Sequence, residues 1–317
     1  MVIRSRKPAR MPDRKRFIGG SDVAAVLGLS PWSTPVELWM EKTGRTEPRP
    51  VDIKRERIFA RGKKLEPVVI DMGIDKLRER GHTVELIARN RRYRHPLHRF
   101  ISVEIDAELI IDGEHVNVDA KTVMGFARDK WGEEDTEEVP MEYAAQFMTG
   151  LACTGRQRCL VLALIGLDDV LIYWVNHDAE AVDSLVGELV DFWVKHVKAD
   201  APPDPLRFSD VKALYPRDNG RTVEATPEIA ELVEKRRRIG IEIRMLEAEK
   251  EQLNCEIGHY LEPFSRLTKG GQQIATFNAQ QETSLDVAAL RRQHPDLYAL
   301  YERTQTTRVL RISKPRR

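Results

Sequence analysis

The stretch "ISVEIDAELIIDGEHVNVDAKT", residues 101–122, predicts a β-hairpin whose two arms carry acidic residues at matching positions. Apolar and polar residues alternate along both arms, as expected of strands that bury one face. Asp112 and Gly113 between the arms are the strongest short signal for a hairpin turn. With these two residues as the turn, Asp106 faces Asp119 across the strands, and the apolar residues share the opposite face.

The predicted register places two carboxylates about 4.5–5.5 Å apart at Cβ, where like charges destabilise a sheet. A divalent cation would relieve the repulsion, and Mg²⁺ suits a site of few carboxylates and substrate phosphates. Such a metal polarises a phosphodiester, and Lys121 would add positive charge near the attacking water. The alternative is a solvated face on which Glu104, opposite Lys121, forms an ion pair with it. The register alone leaves both interpretations open.

Composition limits the class of protein. The 317 residues suffice for one large domain or two, and 41% hydrophobic residues suffice for a core. The net charge of +1 predicts no global attraction to nucleic acid, so a phosphate site must come from local basic clusters, which lie at residues 4–16, 89–100 and 308–317. The three cysteines have no metal-type spacing and favour a reducing cytoplasm. We expect no signal peptide and no membrane span.

The chain is predicted to divide near "ADAPPDP", residues 199–205, because consecutive prolines interrupt regular structure. Residues 1–206 are predicted to form a mixed α/β domain, and residues 207–317 a C-terminal extension. Besides the hairpin, the first domain is expected to contain two short helices, a longer helix, a helix after Pro140, a second strand pair and an amphipathic helix, at residues 20–45, 55–80, 140–151, 158–178 and 178–198. Ser21 or Gly20 is expected to cap the first short helix, and Ser33 or Thr34 the second, which would begin at Pro35.

The extension contains an interrupted heptad repeat over residues 226–260. Arg236 and Lys250 occupy two of the ten seam positions, and the other eight are apolar: Ile229, Leu232, Ile239, Ile243, Leu246, Leu253, Ile257 and Tyr260. This pattern predicts a coiled coil or helical hairpin, or a long helix that packs on its own domain. A short hairpin near residues 270–280 and a final helix pair at residues 284–303 are expected to follow.

Several motifs occur in a characteristic order. They are "IGGSDVAAVLGLSPWSTPVELWMEKTG" (18–44), "RGKKLEP" (61–67), "HPLHRFISVEIDAEL" (95–109), "VDAKT" (118–122) and "YAAQFMTGLACTG" (143–155). Together with the C-terminal tail they resemble the YqaJ-type viral recombinase family, the lambda-type exonucleases within the PD-(D/E)xK nuclease superfamily. The similarity extends along nearly the whole chain. One departure is Asp119, which stands where the family usually has the longer glutamate.

The resemblance implies a restriction-endonuclease-like fold, a mixed sheet flanked by helices, and a Mg²⁺-dependent nuclease that acts on DNA, with Mn²⁺ as an alternative metal. Asp106 and Asp119 would bind the metal together with the Ala120 carbonyl. Glu66 would join them from its helix. The resemblance also assigns Lys121 to orienting the nucleophilic water.

Three further residues follow from the same resemblance. Gln146 would hold the water or the scissile phosphate, and Arg14 and Ser21 would help to hold a 5′-phosphate end. The alternatives are a buried amide bonded to the backbone for Gln146 and a flexible basic tail for Arg14. For Glu66 the alternative is an ordinary acid on a helix surface.

The resemblance favours a 5′-to-3′ exonuclease of phage-type recombination that acts on double-stranded DNA ends and supplies single strands to an annealing protein. It also implies a homo-oligomer, a ring trimer. A structure-specific or nicking endonuclease would use the same residues, and exonuclease action depends on whether the oligomer encloses a DNA end. A non-catalytic DNA-binding or assembly protein is the third hypothesis, and the intact acid–acid–lysine set argues against it.

Overall fold

The computed structural model of the chain describes residues 13–46, 52–166, 168–304 and 306–313. Residues 4–12 and 314–317 of the predicted basic clusters lie outside this part of the chain. The described residues form two compact units, with the division between Leu214 and Tyr215. The sequence predicts a boundary at residue 206, and the helix at 208–214 lies between the two positions.

The first unit has its helices and strands at the following positions. The α-helices are α1 (Gly20–Val26), α2 (Pro35–Lys42), α3 (Ile53–Glu79), α4 (Met141–Thr154), α5 (Ala179–Asp191) and α6 (Phe208–Leu214). The strands are β1 (Val84–Arg94), β2 (Ser102–Ile111), β3 (Glu114–Val123), β4 (Arg158–Ile165) and β5 (Val170–Asn176). Short 3₁₀ turns lie at Arg14–Arg16 and Gly125–Lys130, and a π-helical turn at Phe192–Lys198 continues α5.

The five strands form one mixed sheet in the order β1-β2-β3-β4-β5. All neighbours are antiparallel except β3 and β4, which are parallel and are connected through α4. Helix α3 covers one face of the sheet, and α1, α4 and α5 cover the other. The predicted α/β class, a mixed sheet flanked by helices, is confirmed. Among the described helices, none is both long and apolar enough to cross a lipid bilayer.

The predicted hairpin forms in the predicted register. Its ladder runs from the pair Ile111–Glu114 to the pair Ala107–Val118, one pair short of the two aspartates. Asp112 and Gly113 both have positive φ, 51° and 89°, as a type I′ turn requires.

Glu104 does not face Lys121, so that part of the prediction is wrong. Its ladder partner is Arg92 of β1, whose guanidinium is 2.6 Å from the Glu104 carboxylate. β1 was missed because its arginines resemble a basic loop, whereas they line the exposed edge strand of the sheet.

The predicted single apolar face of β2 is also wrong, because the alternation changes face at Asp106. Val103 and Ile105 pack with α1 and α5, whereas Ala107 and Leu109 pack with α3. On the neighbouring strand, Asn90 has a positive φ of 52° at this level of the sheet. The irregularity therefore lies where the candidate site is built.

The helix ends follow local chemistry. Thr34 caps α2 and Pro35 is its first residue, as predicted. The cap of α1 is Gly19 rather than Gly20 or Ser21, and its N–H donates to the Asp22 carboxylate at 2.8 Å.

The second unit contains a long helix, a small hairpin and two short helices, as predicted. They are α7 (Pro227–Leu261), β6 (Arg266–Lys269), β7 (Gln272–Thr276), α8 (Val287–Gln293) and α9 (Pro295–Tyr301). Thr226 caps α7 by accepting a hydrogen bond from the N–H of Ile229. The eight apolar seam residues of α7 are not buried. Pairing of this helix with another helix stays a prediction.

Two helical glycines test how closely α3 packs on the sheet. A Cβ at Gly73 would lie 2.5 Å from the Leu162 side chain, whereas a Cβ at Gly187 of α5 would meet nothing within 4 Å. We expect Gly73→Ala to lower the free energy of unfolding by about 1–3 kcal/mol through overpacking. The control Gly187→Ala should raise it by roughly 0.5–1 kcal/mol through helix propensity. Urea titration measures both, and equal effects of the two variants would contradict the close packing.

Candidate active site

The two predicted metal-binding aspartates lie together where β2 and β3 separate. Asp119 is buried, and the N–H of the next residue, Ala120, donates to Asp106 Oδ2 at 3.0 Å. Burial and the neighbouring Asp119 carboxylate raise the pKa of Asp106 to about 8. Two carboxylates in this position resist simultaneous ionisation unless positive charge lies near them.

Lys121 supplies one such charge from the same face of β3. Its ammonium forms an ion pair with Asp119 Oδ1 and lies 5.3 Å from the ring centres of Tyr143 and Phe147. Burial lowers the pKa of Lys121, but the Asp119 and Asp106 carboxylates outweigh it and raise the pKa above its ordinary value. The lysine is therefore held as a cation in a fixed position.

Gln146 lies on α4 and contacts the same aspartate. Its Nε2 donates to Asp119 Oδ2 at 2.9 Å, so the amide bonds a carboxylate rather than the backbone. Helix α1 comes close at this point, since a Cβ at Gly20 would be 3.2 Å from Gln146 Cγ. The glycine thus allows the N-terminal helix to reach the site.

Glu66 approaches from α3, on the opposite side of the sheet from α4. Burial raises the pKa of Glu66, and the neighbouring Asp119 carboxylate raises it further. One turn earlier, the Cβ position of Gly62 is 3.7 Å from Thr122 Oγ1 at the end of β3. The structure thus brings Glu66 to the candidate site.

The donor set suits a magnesium ion. Three carboxyl groups, from Glu66, Asp106 and Asp119, lie near one lysine cation, and the pKa values of Asp106 and Glu66 are raised. A bound divalent cation would favour the ionised form of these acids. Nowhere in the described ranges do three carboxylate, imidazole or thiol side chains form a complete metal cluster by themselves. Mg²⁺ needs no such cluster, because it typically uses one or two carboxylates, waters and substrate phosphates. The residues therefore fit a metal held by the two aspartates, with Glu66 as a neighbouring acid.

A second cluster forms around Arg14 and Ser21. Arg14 Nη2 donates to Ser21 Oγ at 3.2 Å and to Asp22 Oδ1 at 2.6 Å. Lys42, whose side chain is 0% exposed, donates to Asp22 Oδ2 at 2.6 Å and to the Arg14 carbonyl at 2.9 Å. Arg14 is thus held in a defined position and is not part of a flexible tail.

Sequence reasoning missed Asp22 and Lys42. A buried lysine must find a carboxylate, because an unpaired buried charge is strongly destabilising. The signals available were the acid at the fourth residue of the signature "GGSD" and the lysine at the end of the apolar helix "VELWMEK". Neither signal identified the other as its partner.

Sequence reasoning also missed a buried network around Glu108, which the alternation placed with the solvated acids. Its side chain is 0% exposed and accepts hydrogen bonds from Tyr93 at 2.5 Å and from Arg156 at 2.7 Å. Burial raises the pKa of Glu108, but Tyr93 and Arg156 outweigh it and lower the pKa below its ordinary value. Arg156 also donates to Asn117 at 2.7 Å, which ties the end of α4 to β3 two residues before Asp119.

The part of the chain that contains this site is similar to a known protein family. Residues 11–157 match the YqaJ-like viral recombinase domain. This segment contains all the predicted site residues, from Arg14 to Gln146. The resemblance indicated by the motifs is confirmed, and this match supports a nuclease of the viral recombinase type.

Individual relatives were found by sequence and by structure. The chain is 26% identical over 294 residues to the uncharacterized protein YqaJ of Bacillus subtilis (strain 168). The aligned region covers 90% of this chain and 88% of that protein. The crystal structure of the alkaline exonuclease LHK-Exo from Laribacter hongkongensis is 18% identical and covers 59% of this chain and 91% of that chain, with a TM-score of 0.42. The structure of LHK-Exo in complex with dAMP gives 19% identity, the same coverage and the same TM-score.

Proposed function

We propose that this protein is a metal-dependent deoxyribonuclease that degrades double-stranded DNA from its 5′ ends. The observation that carries the proposal is the convergence of Asp106, Asp119 and Lys121 where β2 and β3 separate. The match of residues 11–157 to the YqaJ-like viral recombinase domain supports the same class of enzyme.

In this proposal Asp106 and Asp119 hold Mg²⁺ together with the Ala120 carbonyl, and Mn²⁺ can replace it. When bound, the metal polarises the phosphodiester and lowers the pKa of a water molecule. Glu66 adds negative charge that favours cation binding. The Gln146 bond to Asp119 Oδ2 fixes the orientation of that carboxylate.

Lys121 and Gln146 act on the reacting groups. The Lys121 ammonium is kept charged by Asp119 and is positioned by two aromatic rings, so it can orient the attacking water or stabilise negative charge on the phosphate. The Gln146 amide carries a second N–H and a carbonyl oxygen besides the bond to Asp119, and these suit a water or a phosphate oxygen.

Arg14 and Ser21 are proposed to bind the 5′-terminal phosphate. The Arg14 side chain is 52% exposed, and its planar guanidinium suits a phosphate. Asp22 holds this guanidinium at 2.6 Å, and Lys42 also pairs with Asp22. Glu41 lies 3.8 Å from both cations, so two carboxylates fix the position of the exposed Arg14 side chain. Helix α1 carries Ser21 and also contacts Gln146 through Gly20, which connects the two clusters.

The product and assembly remain proposals from the family resemblance. The enzyme would leave single strands for an annealing protein, and copies of the chain would assemble into a ring. Enclosure of a DNA end by such a ring would favour exonuclease over endonuclease action.

Nuclease activity and metal dependence are tested with linear and closed circular DNA. We expect Mg²⁺ to support degradation of linear duplex only, and EDTA to abolish it. Asp106→Asn and Asp119→Asn should each lose more than the roughly 10–100-fold typical of outer-shell metal partners, because they remove a ligand charge. Asp75→Asn, on the exposed side of α3, is the matched control and should keep its rate.

Two results would contradict this account. Full activity of Asp119→Asn would remove the metal assignment. Equal cleavage of circular and linear DNA would replace exonuclease with endonuclease action.

The terminal phosphate pocket is tested with duplexes that differ only at the 5′ end. A duplex with a 5′-phosphate should be degraded faster than one with a 5′-hydroxyl. Arg14→Ala should erase the difference, because the guanidinium no longer holds the phosphate. Arg16→Ala, in the same exposed turn, is the control and should retain the preference. The ratio of initial rates at fixed salt is the measurement, since salt weakens phosphate contacts. Equal wild-type rates on both ends would exclude the pocket.

A further inference from the structure

Trp32 is the exposed tryptophan of this chain. Its exposed fraction is 58%, whereas Trp39, Trp131 and Trp193 are buried and Trp174 is half-buried. Single exposed apolar side chains are common on protein surfaces, so exposure alone does not distinguish Trp32. What distinguishes it is the way its loop is held and its position beside the candidate site, because tryptophan combines a large apolar ring with a polar N–H and is enriched at contacts with other molecules.

The loop that carries Trp32 is held firmly. Ser30 Oγ accepts hydrogen bonds from the N–H groups of Trp32 and Ser33, both at 3.2 Å. Arg207 Nη2 donates to the carbonyls of Ser30 and Pro31 at 3.1 and 3.2 Å. The turn is therefore fixed by hydrogen bonds to a hydroxyl within the loop and from the guanidinium of Arg207, which is distant in the sequence.

Helix α6 fixes the other end of the loop. Thr34 Oγ1 donates to Asp210 Oδ1 at 2.9 Å, and Asp210 is fully buried. The second oxygen of Asp210 accepts the N–H groups of Leu206 and Arg207 at 3.0 Å each. Trp32 is thus presented on a preorganised loop, and a ligand that binds it would not need to order the backbone.

The position of Trp32 connects it to the candidate active site. Its ring centre is 6.4 Å from that of Tyr143. The centre of the Tyr143 ring is 5.3 Å from Lys121 Nζ. One aromatic ring therefore separates the exposed indole from the proposed catalytic lysine.

We propose that Trp32 is a stacking platform for a nucleobase of the DNA strand whose phosphate lies at Asp106, Asp119 and Lys121. The inference rests on the proposed nuclease function and assigns a second contact to the same substrate. Stacking on an aromatic ring accepts every base, because each base has a π face. Such a contact suits an enzyme that must pass all four nucleotides in turn, whereas hydrogen bonds to base edges would select among them.

The proposal is tested by removing the indole and the base separately. We expect Trp32→Leu to raise KM for a 5′-phosphorylated duplex about tenfold, within the range of base–aromatic stacking. Trp32→Phe keeps a ring and should recover most of the loss. A series of duplexes with one abasic residue at successive positions from the 5′ end should contain one position that raises the wild-type KM by a similar factor.

The decisive comparison combines the two changes. At the sensitive position, the abasic residue should have no further effect on Trp32→Leu, because indole and base contribute to one shared contact. Phe126→Leu removes another exposed ring and should keep the abasic dependence of the wild type. Independent, multiplying effects at every position, or an unchanged KM in Trp32→Leu, would overturn the proposal.

A binding measurement separates this inference from the proposed nuclease function. Asp119→Asn with EDTA should bind duplex DNA without cleaving it, and its tryptophan fluorescence should be quenched on binding. Trp32→Phe in the same background should lose that quenching. If the wild-type protein shows this quenching but cleaves no DNA, the stacking contact is supported and the proposed nuclease function is excluded. Cleavage without Trp32-dependent quenching would remove the stacking contact alone.

Discussion

The mutual repulsion of the Asp106 and Asp119 carboxylates is the constraint on which the candidate site depends. Both carboxylates are shielded from solvent where β2 and β3 separate. Burial and the repulsion from Asp119 raise the pKa of Asp106 to about 8. Lys121 offsets only part of the charge. Like charges on neighbouring strands destabilise a sheet. A bound cation, together with a substrate phosphate, would compensate for this repulsion.

The surrounding elements keep these groups in place from three directions. Helix α4 contributes the Gln146 bond to Asp119 and the aromatic rings beside Lys121. Helix α3 brings Glu66 and packs so closely that Gly73 lies against Leu162. Helix α1 contacts Gln146 through Gly20, and the loop after it places Trp32 beside Tyr143. These three helices therefore all position the site residues, because a small displacement of a catalytic group lowers the reaction rate.

The sequence was sufficient for features that depend on local chemistry. Asp112 and Gly113 fix the turn of the hairpin, and the turn fixes the register that brings the aspartates together. The face change at Asp106 could not be predicted, because it depends on how β2 packs against helices on both faces of the sheet. The burial of Glu108 depends on Arg156, which is distant in the sequence and has no local signal. Alternation alone assigned that acid to solvent.

The most direct test of the central claim is a titration of the wild-type protein with Mn²⁺, with bound metal measured by electron paramagnetic resonance in the absence of DNA. The account predicts saturable binding that Mg²⁺ competes away and that the double variant Asp106→Asn/Asp119→Asn loses, while Asp75→Asn retains it. Equal Mn²⁺ binding by the wild type and the double variant, or no saturable binding by the wild type, would contradict the claim that these two aspartates form a metal site.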